Sequence, residues 1–399
     1  MNFLYKYILC VILIAQSLFS CQEKVLGPME SDGVAPGKVT ITNVENIPGG
    51  AILKFDLPAD EDLLGVELVY TLSNGDIKVK RISNFSNSVK IEGFGDAKEY
   101  IIDVYSIDRG ENRSEAVKVT ISPVKPPVKL IEESIKMFAD FGGVKYIWSN
   151  PTESPVALLL IAEDSTKTTW QVLDAVYTST KAGEYSLRGQ DTITRRFGIV
   201  VRDRWENYSD TITQEFKPLY EELIESDKFQ QIQLPGDTWQ NDFANMWNSN
   251  VGSISIGATD GLPMSYTIDL GQIVKLSRFK LWHYNWGVPY NYFLYYNFNY
   301  KNFNIYGSND PNSDGSWDSW TLLKECETHK PSGLPAGRSD DSRYVTQEDI
   351  DFANSGFEFE MPIDAEPYRY LRIELISPWL IGNKNGAVGY SEIYGQKVK

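Results

Sequence analysis

An internal repeat constrains what this chain can fold into more strongly than any other feature of its 399 residues. Residues 108–115, DRGENRSE, recur as DRWENYSD at residues 203–210, an offset of 95 residues. An earlier pair, residues 49–55 and 142–148, repeats at an offset of 93 residues, and a proline follows shortly after each copy. Near-constant offsets indicate that two similar domains follow one another along the chain.

Each copy has the pattern of an antiparallel β-sandwich. Short runs of β-branched and aromatic residues alternate with turn clusters about every eight to twelve residues, without long helical periodicity. The segment that ends at Asp108, with the turn after it, resembles the penultimate strand and final hairpin of a fibronectin type III domain. Asp108 and Asp203 are therefore interpreted as turn formers rather than catalytic groups, and the asparagine in each turn is expected at positive φ.

Proline-rich connections mark the domain boundaries. Residues 123–127, PVKPP, separate the two copies, and we expect their prolines to disfavour helix and to stiffen this segment into a spacer. A second boundary falls near residues 217–219. The predicted organisation is a tether at 21–36, fibronectin III-like domains at 37–124 and 128–217, and a further domain at 222–399.

The N-terminus predicts where the protein resides. Lys6 precedes an apolar run at residues 8–15, which is too short to span a bilayer but has the length of a signal-peptide core. The run leads into LFSC at residues 18–21, which resembles a bacterial lipobox and predicts a lipoprotein signal peptide at 1–20. A lipid on Cys21 would anchor the protein to a membrane. The alternative is a cleaved secretory signal that contains a cysteine by chance.

Charge and cysteine content exclude several classes of partner. The formal net charge is −16 at pH 7, and removal of Lys6 with the signal peptide makes it −17. An acidic surface repels nucleic acid and anionic lipid, so neither is an expected partner. With Cys10 removed and Cys21 lipidated, Cys326 has no partner for an intrachain disulfide. The fold must therefore be stabilised by core burial.

Five motifs in the C-terminal segment carry a second resemblance. They are, in order, IDLG at 268–271, FNIYGSND at 303–310, WDSWTL at 317–322, RYLRI at 369–373 and SEIYG at 391–395. This ordered set resembles coagulation factor five/eight type C (discoidin) domains, which are jelly-roll β-sandwiches of the galactose-binding type. The expected fold is all-β: two Ig/fibronectin III-like sandwiches followed by a discoidin-like jelly-roll β-sandwich.

The whole layout resembles lipoproteins that glycan-foraging Gram-negative gut bacteria encode beside outer-membrane glycan importers. This resemblance implies a lipid-anchored protein of the outer membrane, exposed at the cell surface. It also implies carbohydrate as the ligand and outer-membrane glycan importer proteins as partners. Two alternatives stay open, a structural or protein-docking accessory of such a complex and a glycan-active enzyme.

Catalytic motifs give the enzyme alternative little support. The two histidines, His283 and His329, do not have metal-ligand spacing, and the sequence has no Gly-x-Ser-x-Gly elbow, phosphate loop or cysteine-histidine pair. A carboxylate pair for glycoside hydrolysis is defined by its separation in space, so the sequence leaves that possibility open. The sequence favours a binding protein over an enzyme.

An aromatic segment is the expected ligand site. The family's ligand loops lie at one end of the sandwich, and the corresponding connection at residues 285–299 is rich in aromatic residues. Sugars present apolar C–H faces that stack on rings, while their hydroxyls need polar partners. The expected ligand contacts are His283, Asn285, Trp286, Tyr290, Tyr292 and Trp379. The alternative is that some rings cover the loop's own small core and that His283 is a structural histidine.

The same resemblance implies a calcium site. In discoidin domains a loop with the pattern Asp-Gly-Asn-x-x-Thr meets a glutamate of the last strand, and Ca²⁺ takes about six to eight oxygen ligands. The matching positions are Asn248, Asn250, Ser253 and Glu392. Asn248 stands in place of the family's aspartate, so one anionic ligand is lost. One structural calcium ion and a metal-free, asparagine-rich turn are both open at this point.

Overall fold

The computed structural model describes residues 33–164, 169–238, 243–257, 261–285 and 293–398. The lipobox with Cys21 and the loop residues Trp286, Tyr290 and Tyr292 lie outside these ranges. Within them the fold is all-β, as predicted, and the α-helices are short. No helix in the described part of the chain has the length and apolarity needed to cross a membrane.

The first module is a sandwich of two antiparallel sheets, β1-β2-β5 and β4-β3-β6-β7. Its strands are β1 (Thr40–Ile47), β2 (Gly50–Asp56), β3 (Leu63–Thr71), β4 (Ile77–Ser83), β5 (Ser88–Glu92), β6 (Tyr100–Asp108) and β7 (Val117–Ile121). Apolar residues alternate with polar ones in the central strands, as in β2 and β6, so these strands bury one face. Leu53 and Ile91 of one sheet and Leu68 and Val104 of the other are fully buried in the same core.

The second module begins with helix α1 (Pro127–Ser134). Its strands are β8 (Lys136–Asp140), β9 (Gly143–Ser149), β10 (Val156–Glu163), β11 (Trp170–Thr178), β12 (Ala182–Leu187), β13 (Arg195–Asp203) and β14 (Ile212–Phe216). They form the sheets β12-β9-β8 and β11-β10-β13-β14, which repeat the strand counts of the first module among the described residues. Leu158 and Leu160 of β10 are fully buried.

Packing divides the chain into two compact units, and the division runs through the second module. One unit holds the first module together with residues 147–184 and 197–213. The other holds residues 137–146 and 185–196 together with the chain from residue 214 onward.

The repeated turns are held by their aspartates. Asp108 accepts hydrogen bonds from the backbone N–H and the side-chain amide of Asn112, both at 2.8 Å. Asp203 accepts the same two bonds from Asn207, at 2.9 and 2.8 Å. Both aspartates are turn formers, as the sequence indicated. The expectation that the asparagines adopt positive φ is wrong, because the glutamate before each one does so, Glu111 at 63° and Glu206 at 64°.

The connection between the modules differs from its prediction. Its prolines do not exclude helix, because Pro127 is the first residue of α1. Proline is tolerated there, since the first N–H groups of a helix have no intrahelical acceptor and the ring fixes φ near its helical value. Val128 and Ile131 of this helix are fully buried.

The C-terminal domain is built around one eight-stranded sheet of order β15-β24-β18-β22-β19-β20, with β16 and β21 also paired to β18. Its strands are β15 (Glu222–Leu223), β16 (Gln230–Ile232), β17 (Ser255–Gly257), β18 (Met264–Trp282), β19 (Tyr300–Ser308), β20 (Thr321–Glu327), β21 (Phe357–Glu360), β22 (Tyr368–Pro378), β23 (Gly386–Val388) and β24 (Tyr390–Lys397). Helix α2 (Gln347–Ser355) precedes β21, and β17 pairs with β23 in a separate ribbon.

Strand β18 organises this domain. The sequence predicts separate strands at 264–271 and 277–283, whereas the structure has one strand of 19 residues. Its first part pairs with β16 and β22, and its second part pairs with β21 and β24. Gly271, at φ 68°, lies at the irregularity between the two parts, so the glycine interrupts the register without ending the strand. Buried apolar side chains from both parts of this long strand belong to one core.

Candidate functional site

A cleft of about 920 Å³ opens in the C-terminal domain between residues 327–336 and residues 377–383. The first segment follows β20, and the second spans the end of β22 and the loop after it. Asn302 of β19 lies between them and donates a hydrogen bond from its amide to the Ser377 hydroxyl at 2.9 Å. Two strand ends and their loops therefore position the walls of this cleft.

Trp379 forms one wall and is fixed by hydrogen bonds. Its indole N–H donates to the Thr328 hydroxyl at 2.8 Å, and that hydroxyl donates to the Tyr300 carbonyl at 2.6 Å. The Tyr295 ring packs edge-on at 5.1 Å between centroids. Only 8% of Trp379 is exposed, so the indole is a wall of the cleft and not an open platform.

Two lysines lie against this indole but differ in their surroundings. The Lys301 and Lys330 amines are 5.1 and 5.2 Å from the ring centroid, within the range of cation–π attraction. The Lys330 amine is buried and donates to the carbonyls of Leu334, Pro335 and Tyr344 at 3.2, 3.0 and 2.8 Å. Burial lowers the pKa of Lys330. Its donors hold the loop that closes one side of the cleft.

The rim of the cleft combines compensated charge with exposed apolar surface. The half-exposed Lys301 amine lies 4.0 Å from the Glu327 carboxylate. Ile381, in the turn of the opposite wall, is 97% exposed. The Asn383 amide closes that turn by donating to the side-chain oxygen of Asn297. The cleft thus offers amide, hydroxyl and paired charged groups beside aliphatic surface, which suits a ligand that has both hydroxyl groups and apolar faces.

The aromatic segment predicted from the sequence is joined to this cleft. The backbone N–H groups of Trp379 and Leu380 donate to the carbonyls of Asn299 and Asn297, both at 3.0 Å. Within the same segment Phe293 and Phe298 stack at 5.6 Å between centroids, and Tyr295 is fully buried. Some of the segment's rings therefore cover its own core, which was the alternative raised by the sequence. Trp286, Tyr290 and Tyr292 stay predictions, since they lie outside the described residues.

His283 lies in the core and does not line the cleft. It is 1% exposed, its Nδ1 accepts the Tyr295 backbone N–H at 3.2 Å, and its Nε2 is 3.0 Å from the Tyr300 carbonyl. Because a carbonyl only accepts, Nε2 carries the proton. Burial lowers the pKa of His283 to about 3, so the ring is neutral at physiological pH. These contacts correct the expectation of a ligand contact and identify a structural histidine.

Asn285 is also buried. It is 6% exposed, and its backbone N–H donates to the Val251 carbonyl at 3.0 Å. Its position at the start of the aromatic segment anchors that segment to the loop containing Val251. Its side-chain oxygen is buried without a hydrogen-bond partner among the described residues, so a ligand contact by Asn285 stays a prediction.

Three of the residues predicted for calcium, Asn248, Asn250 and Ser253, lie in one turn and take part in its hydrogen bonds. The Asn248 side-chain oxygen accepts from the Asn250 N–H, and the Asn250 side-chain oxygen accepts from the Gly252 N–H, both at 2.9 Å. Ser253 closes the same turn by donating its backbone N–H to the Asn250 carbonyl at 3.0 Å. These contacts are those of an asparagine-rich turn.

Glu392, the last predicted calcium ligand, accepts hydrogen bonds from the hydroxyls of Tyr390 and Tyr394 at 2.9 and 2.6 Å. The Ser249 hydroxyl bonds to Tyr390 at 3.2 Å and so links the loop to this strand. No group of three or more histidine, cysteine, aspartate or glutamate side chains is placed to hold a metal ion in the described ranges. A calcium ion bound by amide and hydroxyl oxygens stays a prediction of the resemblance.

Sequence reasoning missed several residues of the cleft, including Lys301, Thr328, Lys330 and Ile381. The signal that could have found part of it is the proline- and glycine-rich segment 331–337, which is typical of a loop. The contact between this loop and the segment around Trp379 is long-range, and no local pattern indicates it.

Three successive segments of the chain are similar to known domain families. Three domain families of unknown function match: DUF4959 at residues 36–123, DUF5126 at residues 124–227 and DUF5000 at residues 239–393. No curated protein is a significant match.

Similar solved structures include a SusE-like protein that is 29% identical, with 68% of this chain and 100% of that chain covered and a TM-score of 0.43. The C-terminal domain of a chitobiase from Bacteroides fragilis is 12% identical, with 45% and 100% covered and a TM-score of 0.29. A segment of two fibronectin type III domains from chicken tenascin is 18% identical, with 46% and 99% covered and a TM-score of 0.23.

Proposed function

We propose that this chain is a lipid-anchored protein of the outer membrane whose C-terminal domain binds carbohydrate, in an accessory role in glycan capture and import. The observation that carries the proposal is the cleft beside Trp379. Its volume of about 920 Å³ lies in the range of sites that bind small ligands. The lipobox supports the anchor, and glycan importer proteins are the proposed partners.

The groups around the cleft favour a neutral or amine-bearing sugar. Lys301 and Glu327 compensate each other at the rim, and the donors of Lys330 are taken by backbone carbonyls. The remaining polar groups, such as the Asn302 amide and the Ser377 hydroxyl, can exchange hydrogen bonds with sugar hydroxyls. A polyanionic ligand would approach a chain of net charge −16 and would find no free N–H donor on the Lys330 amine.

The test is a glycan-array screen of residues 22–399, followed by titration of the glycans retained. Ile381→Ala should weaken binding about tenfold to a hundredfold, because burial of an isoleucine side chain contributes about 1.5–3 kcal/mol and about 1.4 kcal/mol corresponds to one decade. Ile363→Ala is the matched control, since Ile363 is also exposed, by 42%, and does not line the cleft. Retention of no glycan, or equal affinities for the two variants, would contradict a carbohydrate site in this cleft.

A further inference from the structure

The second module carries a row of four residues across the outer face of strands β11, β10 and β13 and the segment that follows β13. Ala157 of β10 pairs with Tyr177 of β11 on one side and with Arg202 of β13 on the other. Arg202 in turn forms an antiparallel bridge with Tyr208. Directly opposed residues of antiparallel strands point to the same face of a sheet, so all four side chains project together. Adjacent strands lie about 4.8 Å apart, so the row spans about 14 Å.

This row faces away from the core. The next residues along the two central strands, Leu158 and Val201, are paired and fully buried, and neighbours in a strand point to opposite faces. Tyr177 is 74% exposed and Tyr208 is 48% exposed. Ala157 is buried although it lies on the outer face, because it is small and larger side chains flank it. A trough of about 410 Å³ results, with Ala157, Tyr177 and Arg202 in its lining.

The first module provides an internal comparison. By strand pairing, the equivalents of Tyr177, Ala157, Arg202 and Tyr208 are Ser83, Gly65, Ile107 and Arg113. There Ile107 is 2% exposed, and Arg113 forms an ion pair with Glu67. The same scaffold therefore folds without the two tyrosines and the central arginine. Their presence in the second module is not a requirement of the sandwich.

Arg202 differs from most arginines of this acidic chain. Arg81, Arg278 and Arg369 each form ion pairs with carboxylates. Arg202 lies opposite Tyr208 in the antiparallel bridge, and among the described residues its guanidinium forms no ion pair with a carboxylate. Glu206 is near enough to act electrostatically but makes no such pair. A guanidinium has five donors in a planar fork, so donors of Arg202 are left for a ligand.

We propose that this trough binds an acidic carbohydrate, a sugar ring that carries a carboxylate as uronic acids do. The ring stacks on the exposed face of Tyr177, and the carboxylate accepts a forked pair of hydrogen bonds from Arg202. A peptide added to the edge strand β11 would run along that strand, whereas this row crosses the strands. The net negative charge of the chain repels an acidic sugar at long range, and physiological salt screens this repulsion beyond about 8 Å. The attraction between Arg202 and the sugar carboxylate acts at contact and is screened much less.

The experiment is titration of residues 22–399 with oligosaccharides of galacturonic, glucuronic and mannuronic acid, each compared with its methyl ester. The ester keeps the ring and removes the charge. We expect the acids to bind more tightly than their esters, with an affinity that falls as salt is raised. Tyr177→Ser should weaken binding of the acid about fivefold to a hundredfold, as the loss of one stacked ring does. Arg202→Ile should weaken it by about tenfold or more and remove the preference over the ester.

Both substitutions introduce the residue that the first module has at the same position, so we expect both variants to fold, and their melting temperatures check this. Val172→Ala is the matched control, since Val172 is 61% exposed on β11 and does not line the trough. The proposal is overturned if no acid binds, if an ester binds as tightly as its acid, or if both substitutions behave as Val172→Ala does. Binding of a neutral glycan to the C-terminal cleft should be unchanged in these variants.

Discussion

Arg372 and Asp237 form an ion pair inside the C-terminal domain in which each side chain is only 1% exposed. The Arg372 Nε and Nη2 atoms lie 3.0 and 2.9 Å from one oxygen of Asp237. The carboxylate also accepts the hydroxyls of Ser265 and Thr267 at 2.8 and 2.7 Å. The guanidinium lies 4.0 Å from the Trp317 ring centroid, which covers it. The pair joins the loop at Asp237 to strands β18 and β22.

Removal of one partner should destabilise this domain strongly. Asp237→Ala leaves the Arg372 charge buried without compensation, which costs about 3–5 kcal/mol of unfolding free energy. Urea unfolding followed by tryptophan fluorescence measures the loss. Arg343→Ala is the control, because the Arg343 side chain is 78% exposed in its pair with Asp341 and such pairs contribute about 0–1 kcal/mol. Equal effects of the two substitutions would show that the buried pair is not a main source of stability.

The neutral buried state of His283 predicts acid sensitivity. Its pKa is about 3 in the folded protein and about 6.5 when unfolded, so between these values the unfolded chain binds the additional proton. The contribution of neutral His283 to the free energy of unfolding is therefore fully present above pH 6.5. It is lost as the pH drops, by up to about 1.4 kcal/mol per pH unit. Urea unfolding between pH 5 and 6.5 gives the free energy of unfolding at each pH. Its change with pH should be smaller in His283→Gln than in wild type.

His329→Gln is the matched control for this experiment, since His329 is the other histidine of the chain and is exposed. The free energy of unfolding of His329→Gln should change with pH as that of wild type does. If His283→Gln keeps the wild-type slope while His329→Gln loses it, burial of His283 does not explain the acid sensitivity.

Features that depend on local sequence were predicted well. The aspartate turns follow from short-range hydrogen bonds, such as the one from Asn112 to Asp108, and these need only a few neighbouring residues. The repeat and the alternation of apolar residues gave the all-β class for the same reason. Pro127 was misread because one proline is compatible with both a stiff spacer and the first turn of a helix, and only the burial of Val128 and Ile131 decides between them.

Features that depend on distant contacts were not predicted. His283 is polar and lies at a strand end, so the sequence could not show that Tyr295 and Tyr300 would enclose it. The cleft depends on the hydrogen bond between Trp379 and Thr328, which are 51 positions apart. Trp379 was named as a wall by its position in a loop, but the lysines beside it have no sequence signal.

Anchoring is predicted to depend on a single thiol. Cys21→Ser should abolish membrane retention, because the proposed lipid would be attached to this residue and its acyl chains would supply the membrane affinity. Fractionation of cells that express the full chain measures this, with Cys326→Ser as a control because Cys326 is buried in the C-terminal domain. Recovery of the Cys21→Ser protein with the outer membrane would refute the lipobox interpretation.

The central claim is that the C-terminal domain binds carbohydrate through the cleft and the aromatic segment joined to it. Calorimetric titration of residues 22–399 with an array-selected neutral glycan, for wild type, Trp286→Ala and Tyr290→Ala, tests it most directly. Loss of one stacked ring should remove about 1–3 kcal/mol, roughly a five- to hundredfold weakening, with little dependence on salt and a melting temperature lowered by only a few degrees. Wild-type affinity in both variants, or unfolding of both, would contradict the claim.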